Sequence, residues 1–101
     1  MEDYTNRNTF LLALYVDNTY ELVKDRERFT ERFIDRNYQS DELEDLLIDE
    51  LIEKYKTEYL PIVETINVFQ TDKKDNEPYN FYEIAEQEAQ EAILQFNNQK
   101  S

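Results

Sequence analysis

Apolar residues recur at helical spacing along most of the chain. Near the N-terminus, Phe10-Leu11-Leu12-Ala13-Leu14-Tyr15-Val16 forms an almost unbroken apolar run that Asn8 or Thr9 can cap. Such an apolar run predicts a helix ending near Val16 that is buried on most sides, the central helix of the fold. A second segment opens at Asn18 or Thr19 and extends toward Arg36, with Leu22, Val23, Phe29, Phe33 and Ile34 on its inner side. In the third, Leu43, Leu47, Leu51, Tyr55 and Tyr59 repeat at i+4, and Leu46, Ile48 and Ile52 widen the stripe enough to require more than one neighbour. Asp41 followed by Glu44 matches a capping box at its start. Asn80 followed by Glu83 repeats that pattern for a last helix, whose buried line is Ala85, Ala89, Ala92, Ile93 and Phe96; the small alanines permit close approach of another helix.

Pro61 to Phe69 supports two readings. Ile62, Val63, Thr65, Ile66 and Val68 are β-branched and favour a strand, whereas Tyr59, Ile62, Val63, Ile66 and Phe69 follow helical spacing behind a proline suited to a first turn. No other segment offers a strand partner, so helix is preferred and a short strand at 62–69 is the alternative. Thr71 to Pro78 is then the longest loop. The predicted fold class is all-α, a compact bundle of four to five helices in a single domain over residues 1–101. Glycine is absent, so asparagine must serve wherever the backbone needs a positive φ. Asn18, Asn37, Asn76, Asn97 and Asn98 fall at the expected helix breaks.

Composition agrees with a folded core: 40% of residues are aliphatic or aromatic, too many for an acidic disordered segment. With no cysteine, disulfides and thiolate metal sites are excluded. The opening residues lack the basic region and long apolar run of a signal peptide, and no segment approaches the roughly 18 apolar residues of a membrane span. The expected location is the cytoplasm of a host cell.

Charge changes the picture most. There are 24 acids against 11 bases and no histidine, a formal net charge of −13. Residues 1–37 carry net −2 and residues 38–101 net −11. On the second helix, Lys24, Arg28, Arg32 and Arg36 form an i+4 line beside Glu27, Glu31 and Asp35, the pattern of a self-neutralised solvated face. The third helix is different, because Asp41, Glu42, Glu44, Asp45, Asp49, Glu50 and Glu53 all precede its first base, Lys54. The pairs Asp41/Asp45, Asp45/Asp49 and Asp49/Glu53 repel at i+4, an unfavourable feature that points to use. Asp41, Glu42, Asp45, Asp49 and Glu53 are the main candidate partner-binding row, and Glu83, Glu86, Glu88 and Glu91 form a second.

Other chemistry is poorly supplied. Di-iron carboxylate bundles need Glu-x-x-His, phosphate loops need glycine, and nucleophilic triads need a base that is missing here. Asp72 to Glu77 lacks the central glycine and spacing of a calcium loop. No catalytic residue, cofactor or metal site is expected, and the acidity argues against direct contact with nucleic acid or membrane. Phe10, Tyr15, Phe29, Phe33, Tyr55, Phe81 and Phe96 lie on inner stripes. Tyr4, Tyr38, Tyr79 and Tyr82 sit near chain or helix ends, where a ring can close the core or serve an interface.

The stretch Asn6-Arg7-Asn8-Thr9-Phe10, continuing to Ala13-Leu14-Tyr15 and Asn18, resembles the Asn-Arg-x-Thr-Trp, Ala-Leu-Trp and Asn opening of small uncharacterised proteins of phages, plasmids and archaea. Asn80-Phe81-Tyr82-Glu83-Ile84-Ala85 is similar to their closing Asn-Trp-x-Glu-Ile-Ala pattern, with Phe10, Tyr15 and Phe81 standing where those proteins often carry Trp. The resemblance brings no activity or site. It implies a mobile genetic element, where small acidic non-enzymatic proteins often antagonise host defence. The leading expectation is therefore an anti-CRISPR or anti-restriction inhibitor that uses a DNA-mimicking surface to block a nucleic-acid-binding host defence enzyme. The alternative is a small helical adaptor or regulatory subunit that binds a protein partner through apolar and tyrosine contacts.

Overall fold

Helical backbone dominates the computed structural model, which describes residues 4–100. In chain order the elements are α1 (Arg7–Asp17), α2 (Tyr20–Asn37), α3 (Leu43–Lys54), a π-helical turn (Tyr55–Tyr59), α4 (Leu60–Val63), α5 (Asn67–Asp72) and α6 (Phe81–Lys100). The fold is all-α, and no strand occurs among the described residues. Segment 62–69 is neither a strand nor one helix. The Thr65 hydroxyl and amide both donate to the Ile62 carbonyl, at 2.6 and 3.1 Å, which closes a turn after α4. Ile66 is then extended (φ −85°, ψ 119°) and hands the chain to α5.

Several helix starts differ from the sequence expectation, each because a polar side chain has a more distant partner. α1 is capped by Asn6, whose Oδ1 accepts from the Thr9 amide at 2.9 Å, because Asn8 and Thr9 are both buried against the loop before α6. Thr19 opens α2 as expected, with its hydroxyl turned back to the Tyr15 carbonyl at 2.7 Å, which tightens the junction with α1. Asp41 and Glu44 form no capping box; the Ser40 hydroxyl accepts from the Glu42 amide instead, and α3 begins at Leu43. The Asn80 expectation is met on one side, since Asn80 Oδ1 accepts from the Glu83 amide at 3.1 Å, while the Glu83 carboxylate reaches elsewhere. Asn76 supplies the positive φ of 67° that a glycine-free loop requires, whereas Asn97 and Asn98 lie inside α6 and break nothing.

The i+4 stripe of the third helix explains the π-helical turn. On an ideal α-helix each residue rotates about 100°, so an i+4 repeat drifts about 40° per step and soon leaves its face. In the π turn the Leu60 amide bonds to the Tyr55 carbonyl. This i→i+5 closure widens the turn and rotates the stripe back. Leu47, Leu51, Tyr55 and Tyr59 all remain buried as a result. Leu46, expected to widen the stripe, is exposed.

Two apolar clusters fill the interior. One joins Leu11, Leu12, Val16, Leu22, Tyr55, Tyr59, Val63, Phe69 and Ile84; the other joins Ile34, Leu47, Ile48, Leu51, Ala85 and Ala89. Residues of α2, of α6 and of the continuous stretch from α3 into α4 enter both clusters. α1 is buried on most sides, as its apolar run predicts, with Leu14 left exposed, while α6 packs on α1, α2 and α3. Ala85 and Ala89 are fully buried and let α3 approach α6 closely.

A polar clasp holds the start of the chain to the start of α6. Asn8 Nδ2 donates to the Lys74 carbonyl at 2.7 Å and the Glu77 carbonyl at 3.1 Å, and Asn8 Oδ1 accepts from the Lys74 amide at 2.7 Å. Asn6 donates to the Pro78 carbonyl, Arg7 to the Asp72 carbonyl, and the Asn80 amide to the Thr9 hydroxyl. Asn6 to Thr9 thus bind the loop before α6, and Asn80 ties the start of α6 itself to Thr9. Buried backbone groups left unpaired cost about 1–3 kcal/mol each. Asn8→Ala is therefore expected to destabilise by about 2–4 kcal/mol in urea unfolding, and Asn8→Asp by a similar amount because it cannot donate to the two carbonyls.

Candidate acidic interface

Asp41, Glu42, Asp45, Asp49 and Glu53 are all exposed, and none of them forms an ion pair among the described residues. Asp41 and Glu42 lie in the turn before α3, so the expected Asp41/Asp45 helical pair does not form, while Asp45, Asp49 and Glu53 stand at i+4 on α3 with no ion pair among the described residues. The base that follows them does not help. Lys54 is only 14% exposed and turns inward, 3.0 Å from Asp25 and 2.8 Å from Glu58, with its ammonium 4.9 Å from the centre of the Phe29 ring. Its ammonium is held above the usual lysine range by Glu58 and Asp25, which together outweigh its partial burial. Asp25 in turn accepts from the Tyr59 hydroxyl at 2.8 Å. Partial burial opposes its ionisation, but Tyr59 and Lys54 together hold it below the usual aspartate range.

The four acids of α6 do not form one row. The Glu83 carboxylate accepts from the Thr5 amide at 2.8 Å and the Thr5 hydroxyl at 2.6 Å, fastening the N-terminal segment. Glu86 lies beside the Tyr82 hydroxyl, which it holds above the usual tyrosine range by its charge. Glu88 and Glu91 line the cleft toward α2 together with Arg26, Glu27 and Thr30. A single-helix pattern cannot separate these roles, because they depend on which neighbour each side of α6 meets. The acids that do converge from two helices are Glu44 and Asp45 of α3 and Glu86 of α6. Glu86 first, then slight desolvation and the charges of Asp45 and Glu44, raise the Tyr82 hydroxyl above the usual tyrosine range. Tyr82 is 52% exposed, so this face carries an accessible ring among carboxylates. Beside it a cleft of about 430 Å³ is lined by Ile52, Lys56, Tyr79 and Phe81.

Arg26 forms an internal site with Glu88 of the second candidate row, a pairing that periodicity does not predict. The Arg26 side chain is 13% exposed, and its Nη1 lies 2.8 Å from the Tyr55 hydroxyl, 2.9 Å from Asp17 Oδ1 and 3.2 Å from Glu88 Oε2. One guanidinium thereby links α1, α2, the π-helical turn and α6. Burial disfavours its charge, but Tyr55, Glu88 and Asp17 raise it further, and it stays cationic. Burial also lifts the Tyr55 hydroxyl well above its usual range. The only sequence signal was Arg26 itself, the one base of α2 that leaves the i+4 line of Lys24, Arg28, Arg32 and Arg36.

With this geometry in hand, comparison with known proteins finds no matching family model, no matching curated protein and no matching solved structure. Among the described residues no helix is long and apolar enough to cross a membrane.

The two kinds of charge respond oppositely to neutralisation. Asp49→Asn, which relieves repulsion with Asp45 and Glu53, is expected to raise stability by about 0.5 kcal/mol in urea unfolding at low salt. Arg26→Met takes the donor from the Tyr55 hydroxyl and from Asp17 and unties four elements, and is expected to cost about 2–4 kcal/mol by the same assay.

Proposed function

We propose that this chain is a non-enzymatic inhibitor that occupies the nucleic-acid groove of a DNA-binding protein, with a host defence nuclease of the anti-CRISPR or anti-restriction type as the leading target. The observation that supports this reading is the exposed row Asp41, Glu42, Asp45, Asp49 and Glu53, which forms no ion pair among the described residues. Carboxylates four residues apart rise about 6 Å along a helix, and one DNA strand places a phosphate about every 3.4 Å. A row thickened by Glu44 and by Glu86 on the adjoining helix approaches that charge density. Arg and Lys side chains that grip phosphate form the same charge-assisted bonds with carboxylate. The repulsion along α3 works against folding, and a binding surface gives it a reason to persist.

Capture with the tagged protein from bacterial lysate, at low and high salt and with competing duplex DNA, tests the reading. The expected result is a nucleic-acid-binding protein that both salt and DNA displace. The triple variant Asp45→Lys, Asp49→Lys, Glu53→Lys should lose at least tenfold in affinity for that protein while keeping its helical circular dichroism. A partner that survives salt and DNA and tolerates the triple variant overturns mimicry in favour of an adaptor, and Tyr82 and Leu46 become the contacts to substitute.

A further inference from the structure

Three acceptors crowd one nitrogen of Arg26, Nη1. Nη1 of a guanidinium carries two hydrogens, and both are directed to Asp17 and Tyr55, which accept at 2.9 and 2.8 Å. Glu88, at 3.2 Å, shares the charge without receiving either hydrogen, and no hydrogen bond reaches its carboxylate among the described residues. The two carboxylates differ in their alternatives. Asp17 has a side chain 51% exposed and can be hydrated, whereas Glu88 at 15% is largely removed from water. The charges that face Glu88 are chiefly negative: Asp17 from α1, Glu27 from α2 beside Arg26, and Glu91 from the next turn of α6, with the neutral Tyr55 hydroxyl from the π-helical turn. A buried carboxylate without a donor is expensive to keep ionised.

We propose that Glu88 is the proton-binding member of a latch centred on Arg26, which joins α1, α2, the π-helical turn and α6. With a proton on Glu88, both Nη1 hydrogens stay with Asp17 and Tyr55 and the four elements are clamped. When Glu88 loses that proton, its carboxylate competes for the same hydrogens, and the grip on α1 and on the π turn weakens. Burial first, and then Asp17 and Glu91, push the Glu88 carboxyl up to about 7 from the ordinary 4.5, against the pull of Arg26. The sign of the stability change follows. Between those values the folded chain holds a proton that the unfolded chain has released, so Glu88 favours folding fully below about 4.5 and loses that contribution as pH rises toward 7. Over that window the folding equilibrium constant falls by up to about tenfold per pH unit from this group.

Side-chain carboxyl NMR titration of the wild-type protein tests the latch directly, together with urea unfolding of wild type and Glu88→Gln between pH 5 and 8. The expected result is a Glu88 midpoint near 7, apart from the exposed glutamates, with Arg26 side-chain and Tyr55 ring signals moving at the same midpoint. The wild type should lose at least tenfold more in its folding equilibrium constant over this range than Glu88→Gln, which cannot ionise. A Glu88 that titrates with the exposed glutamates, or Arg26 and Tyr55 signals that do not follow it, overturns the proposal. The wild-type titration decides the matter if Glu88→Gln does not fold.

Discussion

One buried guanidinium sets the geometry of the bundle. Arg26 reaches Asp17, Tyr55 and Glu88 from α2 and so ties together three other elements. A charge in that position is tolerable only while its partners stay in place, since a buried ion without its counter-charge costs several kcal/mol. The π-helical turn is part of the same constraint. An uninterrupted α-helix would carry Tyr55 and Tyr59 off the face they now share, whereas the i→i+5 closure keeps both rings buried and 5.0 Å apart, with their hydroxyls on Arg26 and Asp25 of α2. Polar register therefore fixes how α2 lies against the α3–α4 stretch, and the apolar clusters fill the space around it.

A second constraint follows from the missing glycine. Turns that glycine would close with backbone freedom must here be closed with side-chain hydrogen bonds, and Asn6, Asn8 and Asn80 do this work at the junction of α1, the α5–α6 loop and α6. Asn76 takes the single left-handed position among the described residues. The loop is held along its length by residues some 70 positions away, which compensates for the conformational latitude that an eight-residue connection would otherwise retain. The stretches around Asn6 and Asn80 are thus two halves of one structural joint.

The sequence disclosed what depends on local spacing and hid what depends on which helices meet. The i+4 line from Leu47 to Tyr59 was visible because burial imposes periodicity on one element, and the exposed acids of α3 were visible as its complement. Capping was misplaced at Asn8, Thr9 and Asp41 because Asn, Thr and Asp satisfy local and distant backbone groups with equal ease, and only the packed structure selects between them. Leu46 carries the same apolar character as the buried stripe but is exposed, because composition does not reveal where a stripe ends. Glu83, Glu86, Glu88 and Glu91 look alike in sequence. In the structure they hold the N-terminal segment, border the acidic face and line the cleft beside Arg26, because α6 meets a different neighbour on each side.

The partition of charge is the feature that stability alone does not explain. Arg26 and Lys54 are drawn into the interior and satisfied by Asp17, Glu88, Asp25 and Glu58. Each internal pairing removes a base from the surface, so the solvent-facing side of α3 is more acidic than composition requires. A chain with 11 bases could have placed several beside Asp45 and Asp49 and gained a few tenths of a kcal/mol from each i+4 pair. The bases of α2 stand instead among the acids of their own helix, and α3 remains uncompensated along its outer row. A fold that anchors its cations internally while leaving one helix face uniformly anionic keeps a long-range negative field on that side, available to any partner whose own groove is cationic.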